Sequence, residues 1–274
     1  MNWSGAKNWL IALFLGINIF LVFMLVKSNI QSSYIDKNTI DGTVKILADN
    51  GISVNADIIP DDIPKLGAID VRNSVENFDE TARQFLGEGF EKPAEGVYRN
   101  GAKRFAIEGD MIYYVDNSPQ QPCEELNDET TRSIAVQWLR ERGFDMDTVQ
   151  SSAQKSDDGY IVNIEQKFDK YDLLDSYFKI KVGSMGVYEM EGSWFVLSGG
   201  QDMRSDAARV RTSVSVLLDF ARDSVRISRG SSVIEQIDLG YTTSEKGTYH
   251  KYATALPVWR IKCSDGNEYY YEAR

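Results

Sequence analysis

Carboxylates are the side chains of this sequence whose types and spacing come closest to a chemical site. The acids that lie near one another are Asp157, Asp158, Asp169, Asp172 and Asp175. A pair of carboxylates can hydrolyse a glycosidic bond when one acts as acid and the other as nucleophile or base. A solvated acidic surface is the simpler explanation of this spacing. A calcium loop is not predicted, because the D-K-Y-D-L-L-D run lacks the D-x-[DN]-x-[DN]-G pattern.

Other catalytic signatures are missing from the sequence. His250 is the single histidine and lies in a Tyr-rich loop, which is more typical of a surface residue than of a catalytic base. There is no H-E-x-x-H or G-x-S-x-G motif, and no clustered Cys and His for zinc. No glycine-rich loop of the phosphate-binding kind occurs. We therefore predict a protein that is not an enzyme and has no cofactor, no metal site and no catalytic residues.

Two further sets of residues allow two interpretations each. Cys123 and Cys263 are the only cysteines of the sequence. They could form a disulfide in an exported domain, or they could remain two unpaired thiols. The two thiols are the simpler prediction. The tyrosines at 269–271 fit an interaction surface, since Tyr is favoured at interfaces. They also fit a strand that packs on both faces, which we favour.

The N-terminal stretch 10–26 is apolar except for Asn18. As a helix it covers about 25 Å, and Asn8 and Trp9 extend it towards the bilayer core of about 30 Å. The run ends in bulky residues and Lys27 rather than in a small-residue cleavage site. We predict an uncleaved membrane anchor, with Trp3 and Trp9 at the membrane interface. The alternatives are a buried helix and a cleaved signal.

Three residues of this stretch suggest contacts with partner helices. Ala12 and Gly16 form a small-xxx-small pair, which lets helix backbones approach closely. Asn18 lies about 200° around the helix from Gly16, and its amide can form an interhelical hydrogen bond worth about 1 kcal/mol. We predict two contact faces on the anchor. The alternative is a simple anchor that tolerates these residues.

The net charge of the chain argues against binding to nucleic acid. The whole sequence has a net charge of −11 at pH 7, with 41 acidic and 30 basic residues. Such a domain is repelled by nucleic acid and by anionic lipid, so nucleic-acid binding is not predicted. The short N-terminal tail favours a single-pass protein of the cell membrane, with a cytoplasmic N-terminus and an extracytoplasmic C-terminal domain.

Helix and strand patterns alternate after the anchor. Apolar residues recur with helical spacing over 34–50, 79–86, 128–142 and 205–223. Strand patterns joined by Asn100-Gly101, Gly109-Asp110 and Asp265-Gly266 predict antiparallel hairpins. Short turns make parallel crossovers unnecessary, and residues 169–175 are predicted to be a loop. The pattern predicts the α+β class, with an N-terminal transmembrane helix followed by helix-plus-antiparallel-sheet modules in two subdomains.

A polar, Pro-containing stretch at 118–129 is the predicted division between the subdomains. Residues 1–30 are then the short cytoplasmic tail and anchor. Residues 31–118 form an extracytoplasmic N-terminal α+β subdomain, and residues 119–274 form the C-terminal one.

The first sixty residues resemble the YycI (WalI) family. The M-N-W-S-x-x-K start runs into a Leu/Ile/Phe anchor with an Asn inside, and T-I-D-G-T-V-K-I-L-A-D-N-G-I-S-V-N-A-D-I-I-P follows. The C-terminal L-P-V-W-R-I-K and Y-Y-Y-E-A are similar to the ends of PepSY-like modules. The resemblance implies a membrane protein of Gram-positive bacteria. It implies regulation of the sensor histidine kinase YycG (WalK), which controls cell-wall metabolism, together with a sister protein YycH.

Two other functions stay open. One is an extracytoplasmic cell-wall hydrolase that uses carboxylates, which predicts a cleft lined by acids with raised pKa values. The other is a PepSY-like protease inhibitor or chaperone, which predicts binding to a soluble protease domain without the anchor.

Overall fold

Helices form where apolar residues recur with helical spacing. The structure, a computed structural model, describes residues 3–31, 33–123, 125–198, 207–226, 232–243 and 248–274. In these ranges the helices are α1 (Trp3–Gln31), α2 (Lys37–Asp49), α3 (Phe78–Leu86), α4 (Asp128–Arg140) and α5 (Ser213–Arg226). A short 3₁₀ helix covers Ala56–Ile58.

Polar side chains start three of these helices. Asp36 caps α2, Asn77 caps α3 and Asn127 caps α4. The Asn127 side chain accepts hydrogen bonds from the backbone N–H groups of Glu129 and Thr130, at 3.0 and 2.9 Å. These bonds satisfy donors that have no partner inside the helix. Both α3 and α4 are therefore capped by an asparagine, Asn77 and Asn127, and each is followed by an aspartate in the first turn.

After α1, the strands contain more residues than the helices do. They are β1 (Ile52–Val54), β2 (Lys65–Leu66), β3 (Ile69–Asn73), β4 (Glu91–Ala94), β5 (Val97–Asn100), β6 (Lys103–Glu108), β7 (Met111–Asp116), β8 (Val149–Ser156), β9 (Gly159–Phe168), β10 (Tyr171–Gly183), β11 (Gly186–Ser193), β12 (Phe195–Leu197), β13 (Ala208–Arg209), β14 (Ser232–Thr243), β15 (Tyr252–Cys263) and β16 (Glu268–Glu272).

One large sheet has the order β12-β3-β15-β14-β10-β11-β7-β6-β5-β4. β1 also pairs with β14, β16 with β15, β9 with β10, and β8 with β9, while β2 and β13 form a separate pair. Most pairs are antiparallel, so the α+β class with a mostly antiparallel sheet is confirmed. Two pairs are parallel, β1 with β14 and β10 with β14. The expectation that parallel pairing is unnecessary is wrong, because β14 joins strands from distant parts of the chain.

The predicted hairpin turns are confirmed. β5 and β6 are joined at Asn100-Gly101, β6 and β7 at Gly109-Asp110, and β15 and β16 around Gly266. Gly101 and Gly109 have φ angles of 58° and 59°. This left-handed conformation costs glycine little, which is why these sequence signals are reliable.

The structure corrects two element predictions. The helix predicted over 205–223 begins at Ser213, and its first two residues lie outside the described ranges. The backbone of 210–211 forms hydrogen bonds to distant segments instead of helical ones. The Val210 N–H donates to Pro64 O at 3.1 Å, and the Arg211 N–H donates to Ala273 O at 2.8 Å. The loop predicted over 169–175 is mostly strand, because β10 begins at Tyr171 after a two-residue turn.

Two clusters of buried side chains form the core. The first lies around Trp259 and Phe220 and is built from α2, α5, β3, β14 and β15. The second lies around Trp194 and Trp138 and is built from α3, α4, β6, β7, β9, β10 and β11. Each cluster includes residues from both sides of position 118. The division into subdomains at that position stays a prediction.

β10 belongs to both clusters. Tyr171 and Leu173 lie in the first, and Phe178 and Ile180 lie in the second. β9 pairs with one edge of β10 along its length, with an irregularity between Leu173 and Tyr177. On the other edge, β14 pairs with the first part of β10 and β11 with the second. The irregularity therefore coincides with the change of neighbour and of core.

Asp175 and Ser176 hold this irregular segment in place. Asp175 Oδ2 accepts bonds from Thr242 Oγ1 and the Thr243 backbone N–H, both at 2.6 Å, and from Thr243 Oγ1 at 3.0 Å. Ser176 Oγ accepts the Phe195 N–H at 2.9 Å. Hydrogen bonds to an ionised group contribute more than neutral ones. Asp175 therefore fastens β10 to the end of β14.

We expect Asp175→Ala to lower the free energy of unfolding by about 2–4 kcal/mol, because it leaves the buried Thr243 groups without their acceptor. Urea unfolding of the detergent-solubilised chain, followed by circular dichroism, measures the loss. Asp157→Ala is the matched control, since Asp157 lies exposed in the turn between β8 and β9. Equal stability of the two variants would contradict this role for Asp175.

Candidate functional site

Helix α1 presents apolar side chains to its surroundings on all sides. Side chains are described at Lys7, Trp9, Ile11 and 13–24. Large apolar residues of 13–24 are between 48% exposed (Ile17) and 67% exposed (Phe14), and Trp9 is 80% exposed. The remaining chain leaves this surface uncovered, and contiguous apolar patches of this kind mark interaction surfaces. Within the described residues, a search for a helix with the length and apolarity to cross a membrane finds none.

The predicted contact residues lie on this helix. No atom lies within 4 Å of the position that a Cβ on Gly16 would occupy, so its surface is open. Asn18 Nδ2 donates to the Phe14 carbonyl at 2.8 Å, so part of the amide is satisfied within the helix. Its oxygen keeps lone pairs that this bond does not use. The side chain of Ala12 lies outside the described residues. Contact of the three residues with partner helices stays a prediction.

A groove with several acids crosses the exposed face of β9, β10, β15 and β16. Its volume is about 300 Å³. It is lined by Asn163, Glu165, Asp172, Leu173, Leu174, Asp175, Tyr177, Arg260, Glu268 and Tyr270. The structure thus brings together two acids of the sequence cluster, Asp172 and Asp175, while Asp157 and Asp158 lie in an exposed turn.

Arg260 is the central cation of this groove. Its Nε and Nη2 donate to Asp238 Oδ2 at 3.1 and 2.8 Å, and Nη2 also reaches Asp172 Oδ2 at 3.4 Å. The Arg260 side chain is 12% exposed. Paired charges in such a position fix the geometry of the strands that carry them. Asp172 and Asp175 are therefore both engaged by groups of the fold.

Glu165 differs from the other acids of the groove. Burial raises the pKa of its carboxyl above the usual range, and nearby Asp172 adds to the rise, whereas Arg260 opposes it. Glu165 and Arg260 are not predicted as site residues from the sequence, because neither lies in a run of acids or in a motif. Their only signal was strand alternation, which does not show which strands become neighbours.

The groove therefore offers carboxylate oxygens to hydrogen-bond donors, and one of its carboxyls, Glu165, has a pKa raised by burial. A metal site is a different matter: among the described residues, no group of three or more His, Cys, Asp or Glu side chains could hold a metal ion. Glycoside hydrolysis needs two carboxylates free to act on substrate. Here Asp175 accepts three hydrogen bonds and Asp172 is paired with Arg260.

His250 and the tyrosine run have structural partners. The His250 backbone N–H donates to Asp110 Oδ1 at 2.9 Å, and its Nδ1 lies 3.5 Å from Asp110 Oδ2. Tyr269 and Tyr271 pack against the first core cluster. Tyr270 faces the groove and donates to Glu268 at 2.7 Å. These contacts support the sheet-packing interpretation of 269–271.

The cysteines do not form a disulfide. Cys123 is partly exposed in the segment between β7 and α4, and Cys263 is buried at the end of β15. The structure therefore agrees with the prediction of two thiols rather than a disulfide.

Comparisons with known proteins identify a fold. No sequence model of a known protein family matches the chain, and no curated protein matches it. An uncharacterised protein from Eubacterium rectale ATCC 33656 aligns over 81% of this chain and 82% of its own, with 12% identity and a TM-score of 0.49. YycH from Bacillus subtilis aligns over 77% of this chain and 53% of its own, with 12% identity and a TM-score of 0.50. The Bacillus megaterium YpeB C-terminal domain aligns over 74% and 94%, with 11% identity and a TM-score of 0.36. The chain has a YycH-like fold and spans about half of that protein.

We expect Glu165→Gln to raise the melting temperature at neutral pH. The pKa of Glu165 is higher in the folded than in the unfolded chain, so stability falls as pH rises from about 4.3, the unfolded-state value, through the folded-state value. The substitution removes this loss. Thermal melts between about pH 4 and pH 8 measure the difference in melting temperature between the variant and the unsubstituted chain. This difference should become smaller at the acidic end of the range.

Glu108→Gln is the control, since Glu108 is exposed at the end of β6. A gain from Glu165→Gln that stays constant with pH would show that the charge of Glu165 is not the cause.

Proposed function

We propose that this chain is a non-enzymatic, membrane-anchored regulator of a two-component sensor histidine kinase of the YycG (WalK) type, which controls cell-wall metabolism. In this proposal it acts together with a YycH-like sister protein. α1 crosses the cell membrane once, the N-terminus is cytoplasmic, and the domain from residue 31 is extracytoplasmic. Contacts run through α1 and through the exported domain.

The uncovered apolar surface of α1 is the observation that carries the proposal. Burying a large apolar side chain is worth about 1.5–3 kcal/mol, and ten such side chains in 13–24 are exposed. Lipid tails and partner helices are the surroundings that would cover all sides of one helix at once. At about 1.5 Å per residue, the 29 residues of α1 are longer than a bilayer core of about 30 Å.

The fold and the sequence resemblance support the partner class. The chain has a YycH-like fold, and its first sixty residues resemble the YycI family, which is associated with YycH. The two observations are independent, because one rests on backbone topology and the other on residues. The PepSY-like interpretation of the second half stays part of this proposal.

The connection between α1 and the domain supports transmission of a signal. The Ile35 N–H donates to Asp61 O at 2.7 Å, and the Ile63 N–H donates to Ser33 O at 2.8 Å. Tyr34 and Asp62 form an antiparallel bridge between the same segments. Backbone hydrogen bonds on both sides hold 33–35 against 61–63. A movement of residues 61–63 would therefore be passed to residues 33–35, which follow α1 closely in the sequence.

Regulation would act by a shift between two states of the kinase. A partner helix that packs better against one state stabilises it, and a coupling of about 1–3 kcal/mol changes the ratio of the states 5–150-fold. No chemistry on the kinase is required.

A carboxylate hydrolase is the second candidate, and Glu165 is the observation that favours it. A carboxyl with a raised pKa in a groove is typical of a general acid. The engagement of Asp172 and Asp175 by the fold weighs against this candidate.

Replacing residues 8–26 with an unrelated spanning helix tests the proposal. We expect the intact chain, crosslinked in membranes, to co-purify with a histidine kinase and a YycH-like protein, and the swapped chain to lose the kinase. Mass spectrometry identifies the partners. If both the intact and the swapped chain captured the kinase, the contact would lie on the exported domain. Capture of no kinase by the intact chain would overturn the proposal.

Asn18→Leu tests the polar face of the anchor. We expect kinase recovery to fall roughly fivefold, because an interhelical hydrogen bond in membranes is worth about 1 kcal/mol. Ile17→Leu is the control, since it changes the neighbouring residue without changing polarity. Unchanged recovery with Asn18→Leu would show that Asn18 serves only its own helix.

A further inference from the structure

Arg142 lies just beyond the end of α4 and is largely buried. Its Nη1 donates to the Trp138 carbonyl at 2.7 Å, and its guanidinium carbon lies 3.7 Å from the centre of the Trp138 ring. The Phe85 ring lies on the same guanidinium at 5.7 Å. These contacts hold the side chain in one orientation.

Across the described part of the chain, no carboxylate forms an ion pair with Arg142, and the buried Nε of Arg142 has no hydrogen-bond partner. Burial lowers the pKa of Arg142 to about 10, against the opposing effect of Tyr114 and Glu141. A buried cation without a counter-ion is costly, and aromatic rings offset only part of this cost.

Arg142 lines a cavity of about 480 Å³, within the range of small-ligand sites. The cavity is lined by Asn100, Ala102, Lys103, Tyr114, Asp116, Ser118, Pro119, Gln120, Gln121, Trp138, Arg142, Met185 and Val187. Two of these side chains are cationic and one is anionic, in a chain whose net charge is −11. The cavity is thus locally positive on an acidic protein. Arg142 also lines a smaller cavity of about 240 Å³ beside Asn77 and Gln84.

We propose that this cavity binds the C-terminal carboxylate of a short peptide. Nη1 of Arg142 keeps one N–H besides the one bonded to Trp138, and Nη2 keeps two, so two parallel donors remain to match a carboxylate. The amides of Gln120 and Gln121 suit the amide groups of a peptide backbone. Trp138 and Val187 supply apolar contact for its last side chain.

Asp116 sets the direction of the bound peptide. Its side chain is 7% exposed, and Oδ1 accepts the Ser118 N–H at 2.9 Å. Tyr114 Oη donates to Oδ2 at the long distance of 3.4 Å. A second carboxylate next to Asp116 is repelled, so the carboxylate of the peptide goes to Arg142. Lys103, opposite Asp116 in the β6–β7 register, adds positive charge to the lining of the cavity.

The binding test uses the full-length chain in detergent micelles, with calorimetry as the readout. The probes are acetylated dipeptides ending in Ala, Leu or Lys, each as the free acid and as the C-terminal amide. We expect at least one acid to bind about tenfold or more tightly than its amide, because a charge-assisted bidentate contact is lost in the amide. The inference does not depend on the proposed function, since no kinase is present in the micelle.

Variants assign the binding to the cavity. We expect Arg142→Gln to abolish acid binding and Arg142→Lys to weaken it, because Lys lacks the fork. Arg140→Gln, on the exposed end of α4, should leave binding unchanged. Lys103→Gln does not disturb the Trp138 stack and should weaken acid binding roughly threefold at low salt. Circular dichroism checks that each variant is folded.

Three outcomes would overturn the proposal. One is that none of the acids binds at millimolar concentration to the folded chain. Another is that acids and amides bind equally. The last is that inorganic phosphate competes as well as the acids, which would make the cavity a general anion site. If folded Arg142→Gln retained acid binding, the residue would only be a cap for α4.

Discussion

The fold depends on one strand that has to serve two cores. β10 begins among the side chains of the first cluster and ends among those of the second, and it changes its neighbour from β14 to β11 on the way. Both neighbours approach it closely: a Cβ on Gly240 would lie 2.8 Å from Asp172 O, and one on Gly192 would lie 2.0 Å from Tyr177 O. The irregular residues between Leu173 and Tyr177 let the alternation of side chains shift, and the carboxylate of Asp175 holds that shift in place.

The acidic groove is a consequence of the same constraint. Leu173 lies in the first core cluster and Phe178 lies in the second. Asp172 and Asp175, on the same stretch of β10, line the groove. Arg260 balances the charge that collects there. These acids therefore hold strands together, and Glu165 differs from them because burial raises the pKa of its carboxyl.

Local signals predicted local structure. The helix starts near Asn127, the hairpins at Gly101 and Gly109, and the long helix α1 depend on residues that are close in sequence. The parallel pairs of β14, one of which includes the first residues of β10, depend on pairings between distant segments, which period and turn residues do not encode. The site residues follow the same rule: Asn18 was visible as a polar residue in an apolar run, whereas Glu165, Arg260 and Arg142 acquire their surroundings only when the sheet forms.

The two candidate functions make different demands on the junction after α1. A hydrolase needs its anchor only to stay at the membrane, so a flexible link between helix and domain would serve it. A regulator needs the position of the domain and the position of the helix to be coupled. The backbone bonds of Ile35 to Asp61 and of Ile63 to Ser33 hold residues 33–35 against residues 61–63, in the segment that leads directly into α2. A segment held in this way meets the demand that regulation makes on the junction, whereas simple tethering does not require it.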